Sequence, residues 1–154
     1  MKFAKQMIAA AMTIAMCGCG TTKSENPLFN EFTAPFGIAP FAEITIENYR
    51  EGLLKGMEEQ KAEIEAIVAS TEAPTFENTI VALDNSGELL RKVRGTFSPL
   101  SSSNSTDQMR ELEKELSPLF TSHSDDMYMN EKLFAKVKSV YDAQQSLNLN
   151  AEQK

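Results

Sequence analysis

His123 is the single imidazole in a chain of 154 residues. It lies in Thr121-Ser122-His123-Ser124-Asp125-Asp126, which holds the residue types of a hydrolytic triad. Triads converge from distant segments, however, and side-by-side residues in a chain do not form one. The expected role for His123 is packing or capping at a helix end. Asp125 and Asp126 carry oxygens that suit a hard cation, but the stretch lacks the alternating ligand spacing of a calcium loop. A solvated turn is expected there. A zinc site built from two or three histidines is impossible with one histidine. Glycine-rich phosphate loops are absent. The two cysteines, Cys17 and Cys19, are too few and too close for a disulfide framework. No catalytic residue and no metal ligand is therefore assigned within this sequence.

The bulk composition is that of a globular domain, with 42% hydrophobic and 24% charged residues. The length suits one domain and hardly two. Fifteen basic residues against 22 acidic ones give a net charge of −7, which argues against nucleic acid as a partner.

Cys19 gains a different meaning from what precedes it. Lys2 and Lys5 open the chain, and Met7 to Met16 is an apolar run broken only by Thr13. A positive start with an apolar stretch of ~7–15 residues is a bacterial secretory signal, and it is too short to span a bilayer. Ala15-Met16-Cys17-Gly18-Cys19 resembles the end of a lipoprotein signal. Gly18 favours Cys19 as the lipidated residue, because the peptidase pocket before the cleaved bond takes small side chains; Met16 stands where Leu is usual. The alternative is a plain secretory signal cleaved nearby. Residues 1–18 are thus read as signal peptide, 19–30 as a tether and 31–154 as the folded region. Export is expected, with a lipid anchor holding the chain to a membrane, in the periplasm or at the outer membrane. Stable anchoring takes two or more acyl chains at ~0.8 kcal/mol per buried CH₂.

The elements that must position everything else read as helices. Pro35, Gly37 and Pro40 forbid a helix from Thr33 to Phe41, and Phe36, Ile38 and Phe41 suggest an extended segment pressed onto a core. Thr45 caps a first helix ending near Ser70, with Ile46, Tyr49, Leu53, Met57, Ile64, Ile67 and Val68 inward. Glu58, Glu59, Lys61, Glu63 and Glu65 form its wet side. After Ala73-Pro74, Thr75 caps a second helix that faces Phe76, Ile80, Leu83, Leu90, Phe97 and Leu100 inward. Gly87 lies on that stripe, either to admit a neighbouring helix or as a break at Asn85-Ser86-Gly87. Ser98 to Ser105 reads as a loop, and Ser105 with Gln108 has capping-box spacing. Met109, Leu112, Leu116, Leu119 and Phe120 mark a third helix, kinked or restarted at Ser117-Pro118. Asn130 caps a fourth with Leu133, Phe134, Val137, Val140 and Tyr141 inward. No strand pattern emerges, so the fold class is all-α with about four helices. Asn150 to Lys154 reads equally as the first turn of another helix and as a frayed terminus.

Several stretches resemble one family. Pro35-Phe36-Gly37 with Pro40-Phe41, Thr45-Ile46-Glu47-Asn48-Tyr49, and Pro74-Thr75-Phe76-Glu77-Asn78-Thr79-Ile80 with Ser86-Gly87 and Leu90 are similar to the N-terminal region of thimet-oligopeptidase-like zinc peptidases. Leu116-Ser117-Pro118-Leu119, His123, Asp125 and Asn130 to Phe134 keep the same order. The likeness is nearest the bacterial peptidyl-dipeptidase Dcp branch and runs from about Asn26 onward. It implies a longer, almost wholly helical enzyme in which these helices wall and cover a channel for short peptides. It also implies a downstream His-Glu-x-x-His helix, where zinc polarises the scissile carbonyl and activates water. This sequence has no His-Glu pair, so zinc and catalysis would belong to the full-length protein and not to these residues. The partners implied are an oligopeptide substrate and the remaining catalytic part of the peptidase. The ending inside a helix start then reads as truncation. A non-catalytic helical lipoprotein acting as a partner-binding module is the alternative.

Overall fold

The computed structural model describes residues 26–153, and Cys17, Cys19 and the signal segment lie outside them. Among the described residues there are helices and no strand. The long helices are α1 (Ile46–Ala69), α3 (Glu88–Ser103), α4 (Asp107–Tyr128) and α5 (Glu131–Ala143). Between α1 and α3, a wide π-helical turn, Phe76–Val81, runs into the short α2, Ala82–Asn85.

Helix α1 is the spine. Its 24 residues span roughly 36 Å at ~1.5 Å per residue. Thr45 Oγ1 accepts from the Asn48 amide at 3.2 Å, and Asn48 Oδ1 accepts from the Thr45 amide at 2.9 Å. This reciprocal box satisfies two free donors at the helix start. Thr75 and Asn78 repeat the same box before the π turn. Asn130 Oδ1 caps α5 through the Leu133 amide.

Two small cores lie along α1. The larger joins Tyr49, Leu53 and Met57 to Leu90, Val93 and Phe97 of α3 and to Leu112 and Leu116 of α4. The Tyr49 and Phe97 rings meet at 5.1 Å between centroids in a tilted pair. The smaller core joins Ile64 and Ile67 to Leu133 of α5, with Leu83 and Met127 at its edge. Across the outer surface, Arg50 bridges Glu47 on its own helix and Glu115 on α4.

Close approach of α1 and α3 depends on two glycines of α1. A Cβ at Gly56 would stand 2.8 Å from the backbone N and Cα of Leu90, and one at Gly52 would stand 3.1 Å from Val93. The glycine on the apolar stripe of the second helix behaves otherwise. Gly87 has φ 73, a left-handed conformation, and it separates α2 from α3, so the chain breaks there, and it also admits Gln60 of α1, which a Cβ would meet at 2.5 Å.

Other local expectations are corrected. Ser98 to Ser103 is the last part of α3, with Pro99 inside the helix, and not a loop. Ser101 is buried and donates to Glu113 of α4 at 2.6 Å, which holds this end of α3 in place past the proline. Thr106, not Ser105, caps α4, accepting from the Met109 amide. Helix α4 runs unbroken through Pro118, held on either side by buried Leu116 and half-buried Phe120.

Residues 26–30, assigned to the tether, are seated on the spine. Asn26 is buried and donates to the Asn48 carbonyl and to Glu51, while Leu28 is wholly buried in the larger core. Lys55 and Lys92 lie over the rings of Phe29 and Phe32. The next segment does not press its apolar residues inward. Phe36 is 100% exposed at φ 63, Ile38 and Phe41 are exposed, and Ala39 is the buried residue. The Pro35-Phe36-Gly37 turn forces the ring outward through two successive left-handed residues. Leu119, Phe134 and Tyr141 are also exposed rather than inward, because no described element covers that part of their stripes.

Candidate functional site

An apolar concavity lies where the π turn and α2 meet the end of α4 and the start of α5. It encloses about 500 Å³, with Ile80, Leu83, Met127 and Leu133 on its apolar wall and Gln60, Asp84 and Arg91 at its polar rim. Arg91 is held in place by the carbonyls of Asn85 and Ser86, so it closes the C-terminal end of α2. A smaller hollow of about 250 Å³ adjoins it through Met127 and Asn130 and reaches His123.

His123 is a helical residue within α4, not a loop residue. Its Nε2 lies 2.7 Å from Gln60 Oε1 on α1. With the amide oxygen as acceptor, the imidazole nitrogen is the donor. Gln60 also presses against Gly87, where a Cβ would fall 2.5 Å from the amide group. One turn along α1, Glu63 accepts from the Gly87 amide at 2.7 Å. Glu63 remains on the exposed acidic side of α1 and from there satisfies the backbone at the α2–α3 break. Gly87 is thus met by Gln60 and Glu63 of α1, contacts whose partners the sequence does not name.

The imidazole works here as a joint between helices. Partial burial pushes its pKa below the ordinary 6.5, reinforced by Lys61 and opposed by Asp126. Glu65 of α1 lines the same hollow. A histidine whose folded pKa is lowered binds fewer protons in the native state than in the unfolded state. Stability contributed by the neutral ring is present above about pH 6.5 and falls as the pH drops through that value. The melting temperature is expected to drop more between pH 7.5 and pH 5.5 in the wild type than in His123→Gln. Equal drops in the two proteins would show that the ring is not under strain from its surroundings.

The Ser122-His123-Asp125 constellation does not assemble. These residues lie on one helix turn, and the ring's partner is Gln60 rather than a carboxylate. Asp125 and Asp126 are exposed on α4, where a solvated turn had been expected. Among the described residues, no three His, Cys, Asp or Glu side chains converge as a metal site requires. The donor set among the described residues does not fit a hydrolytic zinc. Cys19, the expected lipidation site, lies outside the described residues. Among the latter, no helix is long and apolar enough to cross a membrane.

No family model matches the chain. Two curated relatives do. The chain is 35% identical over 127 residues to a dipeptidyl carboxypeptidase of Escherichia coli, covering 82% of this chain. It is 35% identical over 129 residues to a dipeptidyl carboxypeptidase of Salmonella typhimurium, covering 84% of this chain. In both cases it spans 19% of the relative's length. The chain thus resembles the dipeptidyl carboxypeptidase branch singled out by its motifs, over most of its own length and about a fifth of theirs.

Proposed function

We propose that these residues form the N-terminal helical segment of an exported, lipid-anchored peptidyl-dipeptidase that removes dipeptides from the C-termini of oligopeptides. The segment supplies wall and cover to a peptide channel. Zinc and the catalytic residues belong to polypeptide outside it. Cys19 carries the acyl chains that anchor the chain to a membrane.

The observation that carries this reading is the 35% identity to dipeptidyl carboxypeptidases over 82% of the chain, joined to the absence of a His-Glu pair from the sequence. The all-helical body and the scaffold role of His123 agree with it. A chimera tests it: the matched 127 residues of the Escherichia coli relative are replaced by their counterpart from this chain. The chimera is expected to fold and to release dipeptides with kcat/KM within about tenfold of the parent, a loss of about 1.4 kcal/mol in transition-state binding. A chimera that is insoluble, or folded and inactive, would overturn the reading.

A further inference from the structure

Resting on that reading, we infer that the outer face of α5, with the end of α4, is where the polypeptide outside this segment docks, through an apolar helix laid along α5. Phe134, Val137 and Tyr141 follow one another at steps of three and four, which sets them in a single stripe. Phe134 and Tyr141 are each 66% exposed, and Tyr128 and Met129 at the end of α4 are 80% and 77% exposed. So many large apolar side chains in one region exceed the scattered exposure that is normal for a surface.

The stripe is grooved as well as apolar. The hollow of about 500 Å³ between α2 and α5 and a second of about 330 Å³ farther along α5 share Phe134 and Val137 as walls. The two hollows adjoin on α5 through these shared residues, and a hollowed apolar helix face is the kind of surface an amphipathic helix packs against. Lys138 on the flank is paired with Asp142 at 2.6 Å, and Asp84 and Arg91 stand at the rim of the larger hollow. The walls themselves, with Ile80, Leu83, Phe134, Val137 and Tyr141, favour an apolar occupant. The relatives carry four-fifths of their length beyond the part matched here, so ample polypeptide exists in such an enzyme to cover this face.

Site-specific labelling tests the inference. Phe134→Cys and Tyr141→Cys are made in this chain and in the chimera, with Glu58→Cys on the exposed side of α1 as control. Maleimide labelling at each site is followed by mass spectrometry. Cysteines at 134 and 141 are expected to label at least tenfold more slowly in the chimera than in the isolated chain, with the control unchanged. Equal rates in an active chimera would overturn the docking face while leaving the proposed function standing. Protection already present in the isolated chain, growing with its concentration, would also overturn it, because a second copy would then be the occupant. An inactive or insoluble chimera would count against both.

Discussion

Gly56→Val is expected to destabilise the chain by about 3 kcal/mol or more, through the overpacking cost of forcing a side chain into a filled contact. The cause is local and specific. The added Cβ would meet the Leu90 backbone at 2.8 Å, and a backbone cannot rotate aside as a side chain can. Helix propensity predicts the opposite sign for Gly56→Ala, a gain of ~1 kcal/mol. A measured loss for Gly56→Ala therefore isolates the α1–α3 contact from propensity. Gly52→Ala is expected to cost less, since its neighbours are the Val93 and Leu28 side chains at 3.1 to 3.4 Å. Gly95→Ala, with open space around its Cβ position, should stabilise by about 0.5–1 kcal/mol. Urea denaturation of the four variants checks the order. A neutral or stabilising Gly56→Ala would mean that α1 and α3 are not packed this tightly.

Leu112→Ala is expected to cost about 2–5 kcal/mol, the range for removing a fully buried leucine and leaving a cavity. Leu112 is 0% exposed and sits where α4 meets the core of α1 and α3. Domain stabilities of about 5–15 kcal/mol leave little margin for such a loss. The same truncation at Leu119, which is 45% exposed, should stay within about 0.5 kcal/mol because little burial is lost. If the two variants melt alike, α4 does not dock through the Leu112–Leu116 edge.

The contrast between Leu112 and Leu119 shows where sequence reading reaches its limit. The caps at Thr45, Thr75 and Asn130 are local devices, and the chain displays them directly. The inward stripe of α1 is equally legible, since Tyr49, Leu53, Met57, Ile64 and Ile67 are all buried. Periodicity names a stripe, however, and cannot say what covers it. Phe134 and Tyr141 have the spacing of core residues and stand in solvent. The Ser-rich stretch from Ser98 reads as a loop, and Ser117-Pro118 as a kink or restart, because local propensity is all that a sequence window holds. The packing of Phe97, Ser101, Leu116 and Phe120 against other helices outweighs that propensity. Gly52 and Gly56 went unremarked for the same reason, as their value lies in a partner 34 and more residues away along the chain.

For the candidate site, the presence of a single histidine is legible from composition. The contact it makes, with Gln60 on a helix 63 residues earlier, is not. Glu63 at the Gly87 amide is similar: it carries the pattern of a solvated helix face and gains its role from the turn folded against it.

Under the proposed function these helices are scaffold, and hydrolysis takes place on polypeptide outside them. The direct measurement is zinc content and peptidase activity of the purified 154-residue chain, incubated with zinc and then freed of loose metal. The expected result is no zinc retained at one per chain and no dipeptide released from an oligopeptide. Dipeptide release by this chain alone, abolished by a chelator and restored by zinc, would contradict the claim.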